Sequence, residues 1–283
     1  MVMPVLIALV IGVAVYTLTL PGAAEGLRYY LLPDLAGFTV GKMMKTLVAA
    51  MGQMFYSLSI AMGILITYGS YMRREDSLEG SVRQIEVFDT AVAFLAGAII
   101  VPAVFVFSGG DASQLNAGPG LMFITLPNVF ASMRGGQIVG AAFFLLVSLA
   151  ALTSSISLME AVVSIISERF GLERKKSAAI TSLLLIFIGM LSVLGYSAWS
   201  DARVFGYQIL DFFDFISNNV LMPIVSLITC LLIGWVVKTK YVEDEVSISG
   251  QPMRAKKLYR VMILAVCPVF MLLILFVPFF VEL

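Results

Sequence analysis

Asp89 is the residue that most needs a chemical reason for its position. It opens the apolar run DTAVAFLAGAIIVPAVFVF, residues 89–107. A carboxylate inside a membrane span costs roughly 2.5–3.5 kcal/mol on the insertion scale, so it should face a bundle interior and meet a cation, a proton or a donor. No Lys or Arg lies inside any of the apolar segments, which leaves an ion or a proton as its partner. The alternative is a carboxylate near the start of its helix that snorkels to the interface. Thr153 and Ser154 supply two hydroxyl oxygens in succession, with the Ala150 carbonyl one turn back. Neutral oxygens at that spacing suit Na⁺, a hard cation. The same hydroxyls can instead bond back to the carbonyl four residues earlier, and both readings stay open. Glu160, two turns further on, either pairs with a loop donor or lines the inner half of a pathway. Asp214, set among Phe212, Phe213 and Phe215, reads either as an acid that attracts cations or gates an outer vestibule or as a surface acid beside a loop; Asp211 reads as a surface acid.

The element that must position such groups is residues 49–71, AAMGQMFYSLSIAMGILITYGSY. It is long and apolar enough to cross a bilayer, yet its centre holds Ser57, Ser59 and Gly63, with Gln53 one turn upstream and no charge. Irregular backbone at membrane depth survives only where it is buried in protein or lines a cavity. The segment reads as a discontinuous helix at a binding site, or as an ordinary helix whose small residues allow close packing.

Composition sets the class. Of 283 residues, 60% are hydrophobic and 13% charged, with mean hydropathy +1.00, against roughly half and a quarter in soluble domains. The apolar runs are too long and unbroken for barrel strands, which alternate over about ten residues. The expected fold is therefore all-α, a polytopic helical membrane protein. Zero net charge points to no nucleic-acid partner. The absence of histidine rules out a His-based metal site or proton relay. Cys230 and Cys267 sit in apolar runs and read as inert packing residues. No basic n-region or small-residue cleavage site precedes the first apolar segment, so the chain starts in or just before a span.

Seven transmembrane helices are expected, at 2–20, 46–71 (the broken helix), 85–107, 138–166, 177–194, 207–237 and 261–281. Together they make a single transmembrane domain over 1–283. Residues 23–45 should hold a short amphipathic helix at the surface. The glycine-rich loop 108–137 contains an apolar, proline-broken piece, 121–130, which reads as a re-entrant or lid hairpin. Charged loops fall at 72–84, 167–176 and 238–260. These three loops carry thirteen of the 18 Lys and Arg residues. Their side should be cytoplasmic, which puts the N-terminus of the chain inside, its C-terminus outside and the loop 108–137 external.

The segments GQMFYSLSIAMGILITYGSYMRRE, FITLP, ALTSSISLMEAVVS and FGLERKK resemble the sixth helix, an external loop, the eighth helix and the following loop of the neurotransmitter:sodium symporter family. The resemblance covers essentially the whole chain and implies that it runs from the fifth to the eleventh helix, that is, the second inverted repeat of the five-plus-five symporter fold plus one further helix. It implies sodium ligands at Ser57, Asp89, Ala150, Thr153 and Ser154, with Asp89 standing where the family usually has Asn. It implies a substrate pocket of Tyr56, Ser57, Ser59, Met62, Ser154 and Leu158, and gate positions at Gln53 and Asp214. Ala93 falls where chloride-dependent members keep a serine. With Asp89 one turn away supplying the negative charge, the resemblance implies chloride-independent transport.

The expected function is sodium-coupled symport of amino acids or related amines across the cell (inner) membrane. The coupling ion is Na⁺, no cofactor is expected, and the chain is not an enzyme. Met62 and Leu158 favour a hydrophobic or aromatic amino acid. The surroundings are membrane lipid, and a homodimer is left open. Because the first repeat is not in this sequence, the chain is expected to be incomplete and not to transport by itself. Two other classes remain for comparison. One is a non-transporting membrane interaction remnant. The other is an intramembrane aspartyl hydrolase using Asp89 and Asp214, which is disfavoured because the two acids would lie at opposite faces and neither sits in a Tyr-Asp or Gly-x-Gly-Asp signature.

Overall fold

The computed structural model describes residues 2–32, 39–107, 118–132, 135–250 and 253–280. Among these the secondary structure is helical, with one isolated bridge between Val204 and Tyr207 and no strand. The helices are α1 (Val2–Leu18), α2 (Ala23–Leu31), α3 (Val40–Ser57), α4 (Ile64–Ser70), α5 (Leu78–Phe107), α6 (Leu126–Ser132), α7 (Gly136–Phe170) and α8 (Arg174–Gly195). Two composite helices follow, α9 (Ile209–Ser249) and α10 (Lys256–Phe276). Five of them (α5, α7, α8, α9 and α10) are long and apolar enough to cross a membrane, and the bent α1–α2 pair would make a sixth. The remaining expected span, the broken helix, corresponds to α3 and α4, which are not among these five helices or the bent pair, so the count of seven is matched only roughly.

Several boundaries differ from the sequence reading, for one recurring reason. Polar turns that continue a helix beyond the apolar window leave no hydropathy signal. Helix α3 begins at Val40 rather than 46, where the Thr39 hydroxyl accepts the Lys42 N–H at 3.3 Å, an N-cap. Helix α5 begins at Leu78 rather than 85, where the Ser77 hydroxyl accepts the Gly80 N–H at 3.1 Å. The expected loop 167–176 shrinks to three residues between α7 and α8. The expected loop 238–260 is helical to Ser249, with a backbone break at Lys238, φ 71°. The piece 121–130 is not a hairpin. It forms a wide-turned stretch, Leu121–Thr125, running into α6. Residues 108–117 and 133–134 of the glycine-rich loop, including Gly109, Gly110 and Arg134, lie outside the described residues.

The chain divides into two compact units, and α5 and α7 each contribute to both. The first comprises Met1–Gly37 and Glu86–Ser155. Its core is Leu6, Val10 and Val13 of α1, Ile99, Ala103 and Val104 of α5, Leu126, Val129 and Phe130 of α6, and Phe143 of α7. The ring of Phe130 meets that of Phe143 at 5.3 Å between centroids, which docks α6 by aromatic packing. The expected surface helix is α2, but it does more than lie at a surface. A Cβ on Gly26 would come within 2.7 Å of the Pro102 Cα, so only glycine lets α2 approach α5.

The second unit comprises Phe38–Ile85 and Ile156–Leu283. Val48 of α3 is buried with Met271 and Ile274 of α10, and Phe55 and Leu227 pack on them. Glu243, 4% exposed, is held by Arg260 at 2.6 Å. Gly195 at the end of α8 abuts Ile209 at the start of α9.

Candidate functional site

The break between α3 and α4 is built by a few local choices. Helix α3 ends in a Schellman motif: Ile60 N–H donates to the Phe55 carbonyl and Ser59 N–H to the Tyr56 carbonyl, each at 3.0 Å. The residue such a motif holds in the left-handed region is usually glycine. Here it is Ser59, at φ 54°, followed by Ala61 at φ 65° and Gly63 at φ 81°. A non-glycine residue there costs roughly 1–2 kcal/mol. Strain of this kind persists where surrounding structure over-determines it, and it concentrates at functional sites. The motif uses the carbonyls of Phe55 and Tyr56 and leaves those of Ser57 and Leu58 to other partners. Helix α4 restarts at Ile64, with the Thr67 hydroxyl back-bonded to the Gly63 carbonyl at 3.0 Å. The result is a half-helix whose C-terminal, partially negative end carries the Ser57 hydroxyl, chemistry suited to a cation.

The expected site residues fall on both units. In the second, Gln53, Tyr56 and Ser57 lie exposed on the last turns of α3, while Ser59 and Met62 are half-buried within the break. Leu158 is exposed on α7, and Asp214 is exposed on α9, where it accepts a hydrogen bond from Asn218 Nδ2 at 2.6 Å. Asn218 sits in a wide-turned stretch, Phe215–Leu221, just before Pro223.

In the first unit, Asp89 is half-buried on α5. Since α5 starts at Leu78, Asp89 lies about three turns in rather than near the helix start. Ala150 and Thr153 are brought together: the Thr153 hydroxyl donates to the Ala150 carbonyl at 2.9 Å and to the Leu149 carbonyl at 3.1 Å. The back-bond left open by the sequence is therefore present. A hydroxyl keeps two acceptor lone pairs besides its proton, so the bond orients this oxygen without using it up. Ser154 is exposed on the next position of α7.

A cluster that sequence reasoning saw only in part surrounds Glu160. Arg174 Nη2 donates to both carboxylate oxygens, at 2.7 and 2.6 Å, and Tyr71 Oη donates to Oε1 at 2.7 Å. One turn back, Tyr68 Oη donates to Ser157 Oγ at 2.7 Å. Of the two roles open for Glu160, the structure shows the pairing with a donor. The carboxylate ties the end of α4 to α7 and to the start of α8. Tyr68 and Tyr71 were legible as aromatic residues three apart on one helix face, but nothing local announced their partners.

Helices of spanning length, together with a helix interrupted at hydroxyl-bearing residues, define a polytopic membrane protein of broken-helix architecture. The chain belongs to the sodium:neurotransmitter symporter family, whose model matches residues 1–282. It is similar to an uncharacterized sodium-dependent transporter of Haemophilus influenzae, 34% identical over 237 residues, which cover 83% of this chain and 50% of that protein. A second relative is the uncharacterized sodium-dependent transporter YhdH of Bacillus subtilis, 35% identical over 231 residues, covering 82% of this chain and 49% of that protein. Among solved structures it is similar to MhsT in complex with L-phenylalanine, with a TM-score of 0.82 and 36% identity, over 96% of this chain and 60% of that one. The chain thus spans about half the length of the curated relatives it matches. The family and the structural neighbour are transporters rather than enzymes, which sets aside the aspartyl-hydrolase reading.

Proposed function

We propose that this chain supplies one side of the transport site of a sodium-coupled symporter for amino acids or related amines. The observation that carries the proposal is the interrupted helix, with Ser57 on the cation-friendly end of α3 and left-handed Ser59, Ala61 and Gly63 after it. Ser57, Asp89, Ala150, Thr153 and Ser154 ligate sodium. Tyr56, Ser57, Ser59, Met62, Ser154 and Leu158 contact the substrate. Gln53 and Asp214 gate the outer entrance. The back-bonded Thr153–Ala150 pair supports the sodium assignment by presenting two oxygens together. Met62 and Leu158 support an apolar or aromatic substrate, as does the L-phenylalanine bound to MhsT.

Gln53, Tyr56, Ser57, Ser154 and Asp214 are all exposed in the 283-residue chain. Polar groups left facing lipid cost several kcal/mol each. We take these side chains to face the other half of the family's architecture and the 283 residues alone not to transport. Asp89 supplies the negative charge that makes transport chloride-independent. The protein lies in the cell (inner) membrane, with the loops rich in Lys and Arg on the cytoplasmic side.

The test is uptake of labelled L-phenylalanine into proteoliposomes by an intact transporter containing this sequence, driven by an inward sodium gradient. Sodium-dependent uptake that is unchanged when gluconate replaces chloride supports the reading. Uptake indifferent to sodium would refute the symport, and chloride-stimulated uptake would refute the role given to Asp89.

A further inference from the structure

Helices α9 and α10 cross closely in the second unit. A Cβ on Gly234 would lie 3.1 Å from Leu264 Cδ2 and 3.5 Å from the Ile263 carbonyl oxygen, so glycine at 234 lets the two backbones approach. Further along the same face, Leu227 packs against the cluster that contains Met271 and Ile274. Position 234 opposite 263–264 and position 227 against 271–274 define an antiparallel register. Cys230 lies one turn before Gly234, and Cys267 one turn after Ile263, so that register sets the two thiols opposite each other. Both are free, Cys230 is buried and Cys267 half-buried.

We infer that Cys230 and Cys267 form a two-thiol binding site for a soft divalent cation, taken up as a linear bis-thiolate between α9 and α10. Thiolate sulfur selects soft metals, while zinc sites want four ligands, and among the described residues no group of three His, Cys, Asp or Glu side chains could hold a metal. Charge then chooses among the soft cations. A monovalent ion between two thiolates leaves a net negative charge in an apolar helix crossing, which is costly to bury. A divalent ion gives a neutral product that the crossing accepts. With mercuric chloride the step balances without redox change: two S–H and two Hg–Cl bonds break, two Hg–S bonds form, and two protons leave with two chlorides. The site is independent of the proposed sodium and substrate residues.

The probe is mercuric chloride, titrated into a purified, reduced, intact transporter containing this sequence, with any cysteine outside it changed to serine, and X-ray absorption reads the sulfur neighbours of the metal. The expected result is one mercury per chain with two sulfur neighbours, retained against a competing monothiol. Cys230→Ser and Cys267→Ser should each weaken that retention about 100-fold or more, because each loses the intramolecular second ligand. Two mercury ions per chain with one sulfur neighbour each would overturn the inference, as would single variants that hold the metal as well as the parent chain. The wild-type absorption measurement decides by itself if a variant fails to fold.

Discussion

At the scale of the residue, the sharpest commitments concern Thr153 and Asp89. The Thr153 hydroxyl is already oriented by the Ala150 and Leu149 carbonyls. Thr153→Val keeps the shape and deletes the oxygen. A hydrogen bond or ligand contact to a charged partner is worth roughly 1.5–3 kcal/mol, so sodium affinity of the intact transporter should fall about 10- to 100-fold. Thr153→Ser, which keeps the oxygen, should retain most of it. Sodium titration of substrate binding distinguishes the two, and equal affinities would mean that the hydroxyl serves only the helix. Asp89→Asn removes a charge from a half-buried position. In the proposed site it should depress uptake in gluconate and make uptake respond to chloride, an exogenous anion standing in for the lost carboxylate. A variant with the same low uptake in both salts would detach Asp89 from charge compensation.

At the scale of the element, the break between α3 and α4 is a set of backbone conformations, and single substitutions can move its stability in opposite directions. Gly63 is at φ 81°, and a Cβ there would meet Ala161 and Ile165 only at an ordinary 3.9 Å. Gly63→Ala is therefore a nearly pure test of conformation. It should cost roughly 1–2 kcal/mol, seen as a melting temperature lower by a few degrees. Ala61→Gly, at φ 65°, should relieve a similar strain. It returns about 0.4–1 kcal/mol of that to unfolded-state entropy, so its gain is smaller. The Glu160 cluster belongs to the same scale, because its bonds join α4, α7 and α8. Tyr71→Phe deletes one donor without changing packing. Amide exchange across Ile64–Ser70 should then quicken while that of α8 stays as it was. Unchanged exchange in α4 would mean that the carboxylate does not hold it.

At the scale of the whole molecule, two compact units each bring part of the expected constellation. Asp89, Ala150, Thr153 and Ser154 belong to one, and Ser57 with most of the substrate residues to the other. The 283-residue chain reconstituted by itself should show no sodium-driven uptake. Uptake by it alone would overturn the view that its exposed Gln53, Tyr56, Ser57 and Asp214 need a covering half.

The sequence by itself determined the class and left the break as one of two readings, the other being an ordinary helix packed through its small residues; the left-handed turns at Ser59, Ala61 and Gly63 chose between them. Sixty per cent apolar residues in runs of spanning length leave helices as the only solution in a bilayer, and hydroxyls with glycine in mid-segment marked where a helix could open. The family was legible too, because its motifs are contiguous in the chain. Only the tertiary structure decided how helices begin and which distant side chains meet. The starts of α3 and α5 are polar turns set by Thr39 and Ser77 caps, which a hydropathy window discards. The Glu160–Arg174–Tyr71 cluster joins residues up to 103 positions apart, and its geometry depends on where three helices are held. The facing thiols of Cys230 and Cys267 read as inert packing from their local surroundings. Only the antiparallel register of α9 and α10, fixed by the close approach at Gly234, pairs them.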